Sequence, residues 1–156
     1  MADPFPSQPD LPTTADAVVI GGGVNGASTA FQLARRGLRV VLVEQGQLGF
    51  GATGKSGALV RCHYANPYEA ALTLESIRIF RNWDEHVGVG DPVFQTPGFL
   101  QVVRPEDEIK LRANIAVLRE LGVETELIAA EHAHEVEPLL RTDDLTWIAF
   151  EPNSGE

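Results

Sequence analysis

The sequence is poor in sulfur, with one cysteine, Cys62, and one methionine, Met1. A single thiol excludes an internal disulfide, and a reducing setting fits it. Basic residues are also scarce. Twelve Lys and Arg stand against 22 Asp and Glu, which leaves a net charge of −10 and a pI near 4.8. That balance favours solubility and argues against non-specific binding to nucleic acid. No apolar run approaches the roughly 20 residues needed to span a bilayer. The opening MADPFPSQPDLPTTA has four prolines and no basic residue. It lacks the charged start and apolar middle of a secretory leader, so residues 1–15 read as a disordered tail and the cytoplasm is the expected location.

Glycine, by contrast, is abundant where it counts. Residues 16–44 read DAVVIGGGVNGASTAFQLARRGLRVVLVE. An apolar run, Ala17–Ile20, feeds into Gly21, Gly23 and Gly26. A helical pattern follows, with Ala27, Ala30, Phe31, Leu33 and Ala34 on one face and Gly37 closing it. A second apolar run, Val40–Val43, ends in Glu44. This is a strand–turn–helix–strand unit carrying G-x-G-x-x-G, the pattern that holds a dinucleotide. Gly21 permits the tight turn, Gly23 lets a pyrophosphate approach the backbone, and Gly26 lets the helix pack closely. The helix starts at Val24 or Asn25, and its first N–H groups lack intrahelical acceptors and face the phosphates. Glu44 follows Gly23 by 44 − 23 = 21 residues, close to the ~20 expected of a ribose-binding acid. A 2′-phosphate would meet like charge there, which disfavours an NADP-type ligand.

The stretch after Glu44 separates FAD from NAD. From Gln45 it runs Q-G-Q-L-G-F-G-A-T-G-K-S-G-A-L-V-R and stays rich in glycine instead of entering another regular helix. A turn near Thr53–Ser56, leading into a short helix over about 56–62, offers further N–H groups and hydroxyls to a longer cofactor.

Those motifs, G-A-T-G-K-S-G over Gly51–Gly57, Arg61, and L-V-R-C-H-Y-A-N-P followed by A-L-x-L-E-S, resemble the FAD-dependent D-amino acid oxidase and glycine oxidase superfamily. The similarity is greatest to its sarcosine oxidase and dimethylglycine dehydrogenase branch and covers nearly all of residues 16–155. The resemblance implies an α/β fold: a Rossmann-like FAD-binding domain over residues 16–90, then the start of an α+β substrate domain over 91–156. It implies FAD held by Gly21, Gly23, Val24, Asn25, Gly26, Glu44 and Gln45, with Ala52, Thr53, Lys55, Ser56 and Gly57 lining the pyrophosphate and the approach to the flavin ring. Some members tether the flavin to a histidine in the second glycine-rich region. None occurs here between Glu44 and Cys62, so non-covalent FAD is expected. Arg61 is the catalytic candidate, placed to stabilise charge on reduced flavin or to orient a substrate carboxylate. The implied activity is oxidation of a small amine or amino acid by hydride transfer to flavin. Family members run to several hundred residues, so the 156-residue chain reads as an N-terminal fragment, inactive alone. A dehydrogenase acting on glycerol 3-phosphate or a hydroxy acid, and a non-catalytic nucleotide-binding or subunit-interaction protein, remain alternatives. The electron acceptor is left open.

Further along, Asn66 and Pro67 read as the N-cap and first residue of a helix over about 67–87, with Ala70, Leu74, Ile77, Phe80, Trp83 and Val87 inward. Residues 98–103 read as a strand, 105–121 as a helix closed by Gly122, 124–128 as a strand, 129–136 as a short helix and 146–151 as a strand. Cys62 reads as a buried small residue and His63 as structural. His132 and His134, two residues apart, fall on different helix faces without a third ligand in range, so no metal site is expected.

Overall fold

A computed structural model describes residues 12–156 of the chain. Residues 1–11, the greater part of the expected tail, lie outside the described residues. The chain divides into two compact units, the first ending at Gly57 and the second spanning Ala58–Glu156.

In the first unit, strand β1 (Ala17–Ile20), helix α1 (Val24–Arg35) and strand β2 (Val40–Val43) follow in order. The strands pair in parallel, Ala17 opposite Val40 and Ile20 opposite Val43. Parallel neighbours need a crossover, and α1 supplies it. The helix stops where predicted: Gly37 adopts φ +84°, a left-handed conformation that releases the chain toward β2. A 3₁₀ turn over Thr53–Lys55 replaces the short helix expected over 56–62. Ser56 is already extended and Ala58 takes φ +56°, so the backbone leaves helical space where the sequence pattern continued it.

The second unit opens with an extended segment and helix α2 (Pro67–Arg81). The Asn66 side chain accepts from the Tyr68 amide at 3.0 Å, the expected cap. The helix expected to reach residue 87 breaks at Asn82, and a single turn, α3 (Trp83–His86), follows. Asn82 Nδ2 donates to the Arg78 carbonyl at 2.8 Å. The short amide thus competes for the backbone, as Asn does in helix interiors. Strand β3 (Phe99–Val102), a 3₁₀ turn over Pro105–Asp107, helix α4 (Glu108–Glu120), strand β4 (Glu126–Ala129), a 3₁₀ segment over Ala130–Glu135 and strand β5 (Trp147–Glu151) complete it. The three strands form an antiparallel sheet in the order β3–β5–β4. β5 is central, with Phe99 opposite Glu151 and Leu127 opposite Ala149.

α4 joins two clusters. Leu111 and Ile115 pack with Ala149 of β5, while Leu118 meets Cys62, Ala70, Ile77 and Val123. The buried face of α2 therefore packs in the core of the later unit, which begins at Ala58. Leu118 and Ile148 are fully enclosed; each such side chain contributes about 1.5–3 kcal/mol by leaving water. Leu118→Ala should cost about 2–5 kcal/mol in urea unfolding. Leu139→Ala, at a side chain 92% exposed, should stay within about 0.5 kcal/mol. Equal midpoints for the two variants would show that the cluster around Leu118 is not the core.

Candidate functional site

The first unit builds its site mainly from backbone. Gly21 turns with φ +101° while its amide donates to the Val43 carbonyl at 2.7 Å, so the parallel pairing extends to the turn itself. A Cβ on Gly26 would overlap the Gly21 carbonyl oxygen. Only glycine lets α1 approach the turn so closely. Gly23 is the N-cap of α1 and has no side chain to occupy the helix start. The amides of Val24, Asn25 and Gly26 are the first of the helix, where the dipole favours an anion.

Glu44 stands beside this turn. Its Oε2 accepts from the Gly22 amide at 2.7 Å and its Oε1 from the Gly46 amide at 2.9 Å. These bonds, Gly22 first and then Gly46, with a smaller one from the Gln45 amide, hold the carboxyl below the ordinary glutamate value of 4.5. Glu44 is therefore ionised at neutral pH. A carboxylate offers about four lone-pair positions, so acceptors remain for a ribose diol.

The second glycine-rich stretch folds back onto the first. Gly49 donates to the Gly22 carbonyl at 2.9 Å, and Thr53 Oγ1 accepts from the Val24 amide at 3.0 Å. A hydroxyl that accepts there keeps its own O–H to donate to an anion at the helix start. Gly54 donates to the Gly49 carbonyl at 2.6 Å. The residues present thus fit a dinucleotide: a glycine-only cradle, an amide-rich helix start, an ionised acid and a free hydroxyl. Among the residues expected on sequence, the structure brings together Gly21, Gly23, Val24, Asn25, Gly26, Glu44, Gln45 and Thr53. Ala52, which caps the start of the 3₁₀ turn, Lys55 on it, and Ser56 and Gly57 after it all lie exposed. Gly22 was not singled out, although a Cβ there would overlap Leu48 and touch Glu44; its place inside G-G-G was the available signal.

Arg61 belongs to the second unit. Its guanidinium donates to the His63 carbonyl and lies over the rings of Tyr64, 4.7 Å from the centroid, and Phe99, 5.2 Å. It makes no ion pair with a carboxylate among the described residues. Such aromatic contacts are worth about 0.5–2 kcal/mol, and a guanidinium with five N–H donors retains several. Cys62 beside it is buried, and that burial, helped by the Glu151 charge, pushes its thiol up to about 11. It stays protonated and is no nucleophile at neutral pH. Beneath them is a carboxylate the sequence did not expose. Glu151 is 1% exposed, with Oε1 3.3 Å from His63 Nδ1. His132 and His134 are exposed, and no group of three metal-ligating side chains occurs among the described residues. No described helix is long and apolar enough to cross a membrane.

A parallel βαβ unit with this turn and acid defines a dinucleotide-binding protein. Residues 16–156 match the model of the family described as "FAD dependent oxidoreductase". The chain belongs to that family, whose cofactor is FAD. It is 36% identical over 131 residues to subunit A1 of the anaerobic glycerol-3-phosphate dehydrogenase of Haloferax volcanii, covering 81% of this chain and 21% of that one. It is 30% identical over 154 residues to the mitochondrial dimethylglycine dehydrogenase of Rattus norvegicus, covering 96% of this chain and 18% of the relative. The crystal structure of L-proline dehydrogenase from P. horikoshii superposes with a TM-score of 0.83 at 30% identity, over 93% of this chain and 38% of that one. The chain thus spans about a fifth of the length of these two curated relatives.

Two outcomes test the cradle. Gly23 has φ −77°, and a Cβ there would meet only Thr53 Oγ1, at 3.1 Å. Gly23→Ala should therefore melt near the parent temperature yet lose retention of added FAD on gel filtration; a variant that stays yellow refutes the assignment. For Glu44, the folded value lies below 4.5, so its contribution to stability is complete above that pH and is lost as pH falls through the depressed value. The melting-temperature gap between the parent and Glu44→Gln should be widest at neutral pH and shrink in acid. A gap that grows in acid would rule out these bonds as the cause.

Proposed function

We propose that this chain holds the ADP half of FAD in an enzyme that oxidises the C–N bond of a small amine or amino acid. The observation that carries the reading is the closure of the two glycine-rich stretches on one another through Thr53 and Val24. When bound, FAD supplies the acceptor for the hydride that leaves the carbon beside the substrate nitrogen. The chain's own residues do the holding. Gly21–Gly26 and the start of α1 take the pyrophosphate, Thr53 donates to it, and Glu44 accepts from the ribose. Ala52, Lys55, Ser56 and Gly57, with Gln45, border the path toward the flavin. No histidine is available in that stretch as a tether, so the cofactor is expected to be non-covalent. Arg61 takes a carboxylate on the substrate. Relatives named for dimethylglycine and proline, each an amine with a carboxylate, support this choice. A cytoplasmic setting belongs to the same reading and rests on composition alone.

The 36% identity to a glycerol-3-phosphate dehydrogenase subunit favours one second reading, in which Arg61 meets a phosphate. An absorbance spectrum of the purified chain with added FAD, before and after acid precipitation, tests the first claim. A flavin band that acid releases into the supernatant is expected; colour that stays in the pellet would mean a covalent link. Dimethylglycine, sarcosine and glycerol 3-phosphate titrated into the FAD-loaded chain then separate the substrate readings. Perturbation of the flavin band by the amines and not by the phosphate ester is the expected result, and the reverse pattern favours the second reading.

A further inference from the structure

Glu151 stands at the C-terminal end of β5, paired across the sheet with Phe99, and is 1% exposed. A carboxylate so deep costs several kcal/mol unless donors surround it. Its donors all come from two short segments. Oε2 accepts from the Cys62 amide at 3.0 Å and from Ser154 Oγ at 2.8 Å. Oε1 faces His63 Nδ1 at 3.3 Å, and the His63 side chain is itself only 8% exposed. The amide of the residue after Arg61 is therefore held by this one carboxylate, whose other oxygen lies beside the ring of the next residue with no hydrogen bond between them. On the other side of Arg61, Val60 exchanges two backbone hydrogen bonds with Gly155, at 2.7 and 2.9 Å. Arg61 sits between these anchors. Its guanidinium closes the arrangement by donating to the carbonyl of His63, and it rests against Phe99, the residue opposite Glu151 in the sheet.

We propose that Glu151 is the positioning residue for Arg61: its buried carboxylate holds the Cys62 amide, with the His63 ring beside it, and so fixes where the guanidinium is presented. The functional meaning rests on the reading of Arg61 as the group that takes the substrate's anionic end. The mechanical claim does not. A guanidinium with four or more rotatable bonds loses much of its freedom when it binds a carboxylate, and holding its backbone and its aromatic seat in advance lowers that cost. The carboxylate reaches the 61–63 peptide through space, from a strand 89 positions later in the chain.

The test is nuclear magnetic resonance of this chain. Arg61 lies over two aromatic faces, so its Nε–Hε signal should be displaced from the free-arginine position by their ring currents. Glu151→Met removes both acceptors at similar volume, whereas Glu151→Gln keeps an acceptor for the Cys62 amide. In the Met variant the Arg61 signal should collapse to the free position while the Ile148 and Ala149 amides stay at their parent positions; in the Gln variant it should remain displaced. A purely structural role would move the strand amides and Arg61 together, or neither. An unchanged Arg61 signal in a folded Met variant overturns the proposal. Should that variant not fold, the parent protein still decides: the Cys62 amide, held by a buried acceptor, should exchange at least ~100-fold slower than an open loop amide, and fast exchange overturns the proposal equally. Neither readout involves flavin or substrate. Failure of the enzymatic reading would show instead in the flavin titrations, with these signals intact.

Discussion

The approach of Gly26 to the carbonyl of Gly21 constrains everything at the cofactor end. Because no Cβ fits between them, α1 can begin directly over the end of β1. That places the helix start, with its first amides and positive end, where the parallel strands terminate. Ligands of open α/β sheets bind at this end of the strands. The same close approach leaves room for Leu48 and Glu44 to cover Gly22 from the other side, and for Thr53 to reach the Val24 amide at 3.0 Å. One backbone contact thus orders the turn, the acid and the second glycine-rich stretch together.

The second unit is organised around side chains instead. Its sheet and α4 provide an apolar frame through Leu111, Ile115 and Ala149. At the end of that frame a carboxylate is buried in place of another apolar group. Replacing a buried ionic group with a well-packed apolar one is often neutral or stabilising, so stability alone is a weak reason to place Glu151 there. What the carboxylate does specifically is to take donors from residues 62 and 154, two stretches with no regular secondary structure between Gly57 and α2 or beyond β5. Loop segments lack the ladders that fix strands, and a deep acceptor with several donors is one way to give them a single geometry.

These two modes explain what could be read in the sequence. A site made from backbone demands particular residue types, so Gly21, Gly23, Gly26 and the acid at Glu44 announce it, and β1, α1 and β2 follow with their ends at the expected residues. Helix α4 and its closing Gly122, φ +85°, were legible for the same reason: periodicity plus a residue that only one conformation suits. The break at Asn82 was not, because the apolar stripe of α2 runs on past it through Trp83 and Val87. The 3₁₀ turn at Thr53–Lys55 was misplaced as a later helix because glycine-rich segments carry little periodicity. Glu151 was hidden for a different reason. Among 22 acidic residues, nothing local marks the one that is buried, since its partner Cys62 is 89 positions away.

The split also bears on how a family diverges. A cradle built from amides and close approaches tolerates change at most positions so long as a few glycines and one acid persist. Relatives at 30–36% identity can therefore match the same stretch while their names point to different substrates, an amine in one and a phosphate ester in the other. Choice between such substrates depends on placing a few charged side chains to within about 0.5 Å, and on the groups that hold them there. A guanidinium such as that of Arg61 can pair with carboxylate and phosphate alike. Under the proposed role of Arg61, discrimination would rest on what surrounds it: the Tyr64 and Phe99 rings beneath the guanidinium and the neighbouring segment whose Cys62 amide Glu151 holds. The cofactor cradle is written in the chain as residue types at a spacing, whereas the setting of Arg61 is written as geometry between distant segments, and only the first can be read without coordinates.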